Sequence, residues 1–294
     1  MAGILWGTGG LGVQIIREHE PMSVLTISAW RMTLAALVLV LLVVVQRQAA
    51  GVRRLWAENR GTAVLAGVAT ATYQALYFGA VVTVGVTVAT VVSLGLAPVL
   101  VSTYEWTHQR RRPDRGSLVV LAVALAGLLL VTSTAGLGTT GPRPGLGVVL
   151  ATASGAVYAF TTVVAGRIAS TTTPLALTTI ATVAGAAVLI PLGLVGARGD
   201  APLVTTDPVV VAALLYLGVF TLALAYGLLY AGLRTTPSSA AVIASLLEPV
   251  TAALAAAVVL GERLGWAGVL GTLLILAAVA GLGRKEPVLV TPPP

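Results

Sequence analysis

Long apolar runs, interrupted at short intervals by charged or Pro- and Gly-containing connectors, set the pattern of this chain. Val24–Val45 carries a single charge, Arg31, and residues 145–165 carry none. About 20 apolar residues in helical form cross a hydrocarbon core roughly 30 Å thick. The runs predict spanning helices near 2–16, 22–46, 61–83, 85–107, 117–135, 145–166, 174–197, 208–232, 237–260 and 264–283. The first run is short, lacks a basic start and is followed by further apolar runs, so it reads as a first span and not as a cleaved signal. The expectation is an all-α integral membrane protein with ten transmembrane helices.

Composition removes the soluble alternatives. Of 294 residues 57% are hydrophobic and 9% charged, with a mean hydropathy of +0.99. A soluble domain carries roughly 25% charged residues, so this chain could not cover a water-facing surface. Cysteine is absent, which excludes disulfides, thiol nucleophiles and thiolate metal ligands. His19 and His108 flank span ends and form no ligand cluster, so no metal and no cofactor is predicted. The net charge of +7 does not indicate a nucleic-acid partner, because the arginines fall in connectors and form no continuous basic face.

Those connectors orient the chain. With ten spans, Arg47, Arg53, Arg54, Arg60, Arg110, Arg111, Arg112, Arg115, Arg167, Arg234, Arg284 and Lys285 fall on one side. Only Arg17, Arg143, Arg198 and Arg263 fall on the other. Cytoplasmic connectors are enriched in Arg and Lys, so both termini are expected in the cytoplasm.

The two halves resemble each other. Tyr73-Gln74-Ala75-Leu76-Tyr77-Phe78-Gly79 in the third span aligns with Tyr226-Gly227-Leu228-Leu229-Tyr230-Ala231-Gly232 in the eighth, 153 residues on. Pro98 in the fourth span matches Pro249 in the ninth, and Ala126-Gly127-Leu128 in the fifth matches Ala280-Gly281-Leu282 in the tenth. Nearly constant offsets in chain order indicate a duplication. The expected division is a first repeat over 1–135, a linker over 136–144, a second repeat over 145–283 and a disordered cytoplasmic tail over 284–294. Five spans per repeat, an odd number, insert the second copy upside down. Two inverted five-helix repeats are an architecture of transporters, with the binding site at the repeat interface near the bilayer midplane.

Several motifs carry a family resemblance. Trp6-Gly7, Arg31 within Ala29-Trp30-Arg31-Met32, and Leu217-Gly218-Val219-Phe220-Thr221-Leu222-Ala223-Leu224-Ala225-Tyr226 belong to it. So do residues 240–247 with Glu248-Pro249, and Leu260-Gly261-Glu262-Arg263. Together they resemble EamA-type members of the drug/metabolite transporter superfamily, most closely in the second half. The first half departs from that pattern after its fourth span, where His108-Gln109-Arg110-Arg111-Arg112-Pro113 stands in place of Leu-Gly-Glu. The resemblance implies a ten-helix carrier of the bacterial inner membrane, often an exporter of amino acids, metabolites or toxic compounds.

Glu248 is the most informative side chain. It lies near the middle of its expected span, where an acidic residue costs roughly 2.5–3.5 kcal/mol and should face the protein interior or water. Pro249 lacks a backbone donor and frees a carbonyl about one turn earlier, near Ser245. A kinked, locally polar spot of this kind suits a substrate amine or a coupling proton; a structural carboxylate bonded to a neighbouring Tyr or Ser is the plainer alternative. Arg31, roughly 13 Å into its span, could pair with Glu248, hold a substrate carboxylate or fix the helix position by snorkelling. Tyr73 and Tyr77, like Tyr226 and Tyr230, stand at i, i+4 and line one face of equivalent helices. They could wall a central cavity, with Trp6 and Tyr158 as further lining, or belong to interfacial aromatic belts. Pro98 and Pro249 are the expected helix kinks.

Two weaker signals have structural readings. Gly7-Thr8-Gly9-Gly10-Leu11-Gly12 fits G-x-G-x-x-G but has no preceding strand, so close helix packing by small residues explains it better. Glu105 is expected to meet the cluster from Arg110 to Arg115. The combined expectation is a secondary carrier working by alternating access on a small-molecule solute among membrane lipids, with the proton as a possible coupling ion. A multidrug or cationic-compound exporter fits the same residues, as does, in a different class, a passive channel or scramblase. No Walker A motif and no nucleophile–base pair is present, so neither its own ATP hydrolysis nor an intramembrane enzyme is expected.

Overall fold

The computed structural model describes residues 1–108, 114–133, 142–197, 201–259 and 265–282, and every regular element among them is helical. The helices are α1 (Ala2–Gly7), α2 (Gly9–His19), α3 (Val24–Val45), α4 (Ala49–Val84), α5 (Val86–His108) and α6 (Arg115–Ser133), then α7 (Pro144–Ala169) and α8 (Pro174–Gly196). Next come α9 (Pro208–Gly218), a π-helical turn (Val219–Leu224) and α10 (Ala225–Gly232), followed by α11 (Ser238–Ser245), α12 (Leu247–Val259) and α13 (Trp266–Leu282). Among the described residues, eight segments are long and apolar enough to cross a membrane, and α13 is a shorter apolar helix. The linker near 136–141, Arg110 to Arg112, the 260–263 motif and the tail lie outside the described residues.

Local chemistry sets the helix starts. Ser23 accepts the Thr26 amide at the head of α3 (3.1 Å), and Thr173 accepts the Ala176 amide at the head of α8 (3.3 Å). Each bond satisfies one of the amides that a helix N-terminus leaves without a partner. Asp207 caps α9 through the Val209 amide (2.7 Å), and prolines open α7, α8 and α9, where a missing N–H costs nothing.

Helix pairing displays the duplication. α3 packs on its counterpart α8, and α6 on its counterpart α13. The contact of α4 with α8 is mirrored by α3 with α9, and that of α5 with α7 by α1 with α12. Along α3 and α8 the numbering runs in opposite senses: Gly185 faces Met32, Gly193 faces Ala29 and Gly196 faces Ser23. Equivalent spans are therefore antiparallel, as inverted repeats require. The backbones come close where glycine permits it. A Cβ on Gly67 of α4 would overlap the Ala181 carbonyl of α8, and one on Gly271 would stand 2.6 Å from the Gly127 carbonyl oxygen. With no hydrophobic force between helices in lipid, such small-residue seams carry the packing.

The structure corrects several sequence expectations. The first span is two helices meeting at Thr8, whose hydroxyl donates to the Leu5 carbonyl (2.7 Å). Much of the 46–60 connector is helical: α4 begins at Ala49 and runs on through one non-helical residue, Asn59 (φ −141°, ψ 30°). Charge in this stretch therefore does not mark a loop. The eighth span contains the π turn, and the ninth is interrupted at Leu246, where α11 ends one turn before Pro249. α5, by contrast, is continuous through Pro98. The carboxylate of Glu105, whose expected arginine partners at 110–112 lie outside the described residues, accepts the Ser239 amide (3.1 Å) and the Ser239 hydroxyl at the start of α11. Pro237, the N-cap of α11, has no side-chain acceptor of its own, so a carboxylate from α5 takes that place.

Candidate functional site

The sequence-matched tyrosines meet. Tyr73 of α4 and Tyr226 of α10, equivalent residues of the two repeats, share a hydrogen bond between their hydroxyls (2.6 Å). A contact between equivalent residues lies on the pseudo-two-fold axis, so this bond marks the centre of the repeat interface. Around it the rings of Trp6 and Tyr226 stand 5.3 Å apart, those of Tyr73 and Tyr158 5.1 Å, and those of Tyr226 and Tyr230 6.0 Å, all tilted or edge-on. These separations are those of attractive aromatic pairs. Trp6 reaches the cluster because α1 lies flush against the break in the ninth span. A Cβ on Gly3 would stand 2.9 Å from the Ser245 carbonyl oxygen, and one on Gly7 2.5 Å from that of Glu248. Within the G-x-G-x-x-G stretch Gly12 has the same use as Gly7, set against Leu217 of α9, whereas Gly9 and Gly10 meet no close neighbour.

Two charged groups border the tyrosines. Arg31 of α3 donates from Nη2 to the Thr221 hydroxyl in the π turn (3.1 Å), and Thr221 donates onward to the Leu217 carbonyl (2.7 Å). The Arg31 Nε is buried without a partner. Glu248, half-buried at the start of α12, has no hydrogen-bond or ion-pair partner among the described residues. Arg31 and Glu248 feel each other's charge, and both act on Tyr73, yet they do not close into a salt bridge. The direct pairing considered from the sequence is thus not formed. Two opposite charges held apart beside an aromatic wall leave each free to take a ligand group of the other sign.

Other positions separate. Tyr77 bonds to the Thr90 hydroxyl on α5 (2.8 Å), inside its own repeat, although Glu248 still acts on it. Tyr230 is 2% exposed within the largest core cluster, so neither it nor Tyr226 belongs to an interfacial belt. The Tyr158 hydroxyl is buried without a hydrogen-bond partner among the described residues, and the nearby Ser245 hydroxyl donates to the Val242 carbonyl (2.6 Å). Gln74 and Thr221 were not singled out from the sequence. Gln74 Nε2 is buried without a partner beside Tyr73, and a glutamine inside a span was the available signal. Thr221 had no such signal, since a threonine in an apolar run usually bonds its own helix.

Cavities also open away from the tyrosine cluster. A groove of about 670 Å³ lies between α2, α9 and α12, lined mainly by apolar groups such as Leu11, Ile15, Val209 and Val259, with the Thr8–Tyr216 hydroxyl pair (2.7 Å) within it. A polar cleft of about 230 Å³ lies where the start of α4, the α7–α8 turn and Arg234 converge.

The EamA-like transporter family matches the chain twice, over residues 1–133 and 145–284. The chain belongs to the EamA-like transporter family. The paired match is the duplication seen in the helix packing, one family unit per half. A curated relative, the "Uncharacterized transporter YwfM" of Bacillus subtilis (strain 168), is 31% identical over 290 residues, covering 97% of this chain and 93% of its own. A solved crystal structure shares the fold with a TM-score of 0.78 at 19% identity, over 95% of this chain and 93% of that one. This EamA protein is accordingly a multi-pass membrane transporter of small molecules, and the tyrosine cluster stands at the interface of its two family units.

Proposed function

We propose that this EamA protein is a secondary active carrier that exports amino acids or other small metabolites by alternating access, exchanging a proton at Glu248. The observation that carries the proposal is the juxtaposition at the pseudo-two-fold axis. Arg31 and Glu248, opposite in charge and unpaired with each other, flank the Tyr73–Tyr226 hydroxyl bond. A zwitterionic solute would place its carboxylate at Arg31 and its amine at Glu248, with the rings of Trp6, Tyr73, Tyr158 and Tyr226 against its apolar part. Proton binding at Glu248 would then compete with the amine and link the two fluxes.

Sidedness follows from the connectors. The start of α4, the α7–α8 turn and Arg234 gather at one end of the molecule. At the other end Trp30 donates to the Leu203 carbonyl (2.7 Å) and Thr205 to Glu20 (2.7 Å). Arg47, Arg53, Arg54, Arg60, Arg167 and Arg234 belong to the first end, which supports a cytoplasmic face with both termini inside a bacterial inner membrane. One observation favours a second reading: an unpaired carboxylate near four aromatic rings also suits an organic cation, so a cationic-compound exporter stands beside the metabolite exporter.

Counterflow in proteoliposomes tests the carrier reading. Vesicles preloaded with unlabelled amino acid should transiently accumulate the labelled form, saturably and in competition with related solutes. Non-saturable equilibration for every amino acid and organic cation tried would make the protein a pore and remove the alternating-access assignment.

A further inference from the structure

The polar cleft at the arginine-rich end shares no lining residue with the tyrosine cluster. It joins the two repeats. Gly51, Arg54, Leu55, Glu58 and Asn59 come from α4 of the first, and residues 170–173 and Arg234 from the second. The broken geometry at Asn59 turns the first ten residues of α4 across the mouth of the α7–α8 turn, with Gly51 close enough that a Cβ would stand 3.5 Å from the Thr173 hydroxyl. Arg54 gives its Nε to Glu58 (2.9 Å) in an exposed i, i+4 pair that leaves its terminal nitrogens unengaged. The Arg234 side chain has no hydrogen-bond or ion-pair partner among the described residues, and neither do the hydroxyls of Ser170 and Thr172.

We propose that this cleft binds a phosphoryl group, clamped between Arg54 and Arg234 and received by the Ser170 and Thr172 hydroxyls. Two guanidinium forks match the geometry of phosphate oxygens, which accept paired N–H bonds. Against them stands one carboxylate, Glu58, already engaged by Arg54. A volume of about 230 Å³ holds several water-sized groups at about 30 Å³ each, enough for a tetrahedral oxyanion and the alcohol esterified to it. Two sources present this chemistry: the headgroup of an anionic phospholipid and free phosphate. The exposed Trp56 on the same helical segment favours the headgroup, since tryptophan anchors at that depth. Occupancy would tie α4 to the α7–α8 turn and so brace the two repeats at this end.

The test is thermal unfolding of the detergent-purified full-length protein, titrated with phosphatidylglycerol, with phosphatidylcholine or with inorganic phosphate. A ligand that binds only the folded state raises the melting temperature saturably. The expected result is a saturable rise with phosphatidylglycerol, none with phosphatidylcholine, and loss of most of that rise in Arg54→Gln/Arg234→Gln. The control pair Arg53→Gln/Arg60→Gln removes the same two charges from α4 outside the lining of the cleft and should keep the rise, so bulk charge and the site are told apart. A rise with inorganic phosphate that the double variant abolishes supports the same site with a soluble source. Equal rises with both lipids, or a rise undiminished in the double variant, overturns the proposal. If the double variant starts from a lower melting temperature than wild type, Thr172→Val, which deletes one receiving hydroxyl and keeps both arginines, should still reduce the rise, and an undiminished rise there also overturns the proposal.

Discussion

Tyr73 and Tyr226 hold a single hydrogen bond between residues that duplication made equivalent, and this shapes what substitution does. Removing either hydroxyl breaks the same bond, so Tyr73→Phe and Tyr226→Phe should each weaken substrate affinity about tenfold, roughly 1–1.5 kcal/mol. The double variant should be scarcely worse than either single one, a coupling that a double-mutant cycle on transport KM reads directly. Additive losses would mean that the hydroxyls act separately. Glu105 gives a second prediction at this scale. Its carboxylate caps α11 from another helix, so Glu105→Ala should lower stability by about 1 kcal/mol, seen as an earlier melting transition. The tyrosine positions were legible because an internal repeat aligned them and i, i+4 spacing gave their face. The bond from Glu105 to Ser239 was not, because it joins residues 134 apart in sequence. The same holds for Arg31, whose bond goes to a threonine 190 residues away.

The elements carry two kinds of feature, and the sequence exposes only one of them. Apolar run length gave the spans, since the bilayer imposes a single length on all of them. Interruptions within the spans come from finer causes. Pro249 lies one turn beyond the break at Leu246, whereas Pro98 sits in an unbroken helix, and the π turn ahead of Tyr226 contains no proline at all. Proline alone therefore does not decide where these helices yield. Glycine seams are the other feature. Gly67→Val should place side-chain atoms into the Ala181 backbone, cost about 1–3 kcal/mol or more through overpacking and reduce the yield of folded protein. Gly61→Ala, six residues earlier on the same helix with open space around it, should leave yield and melting temperature unchanged. Equal behaviour of the two variants would show that α4 and α8 are not in backbone contact.

At the scale of the whole molecule, two family units pack with equivalent helices antiparallel, and the candidate site lies where the units meet. Inversion was legible in the odd number of spans per repeat, and the tyrosine cluster follows from it, because equivalent residues near an axis meet each other. The separation of Arg31 from Glu248 was not legible, since it depends on how far the α1 glycines let α12 approach and on the π turn that offers Thr221 to Arg31. That separation is the basis of the coupling proposed above, as a closed salt bridge would leave neither charge available. The most direct measurement is solute flux in proteoliposomes with and without an imposed pH gradient, for wild type beside Glu248→Gln, with folding of both verified by melting temperature. The account predicts saturable flux that the gradient drives in wild type and that is lost in Glu248→Gln despite normal folding. Gradient-driven flux persisting undiminished in Glu248→Gln would contradict it and make Glu248 a structural carboxylate.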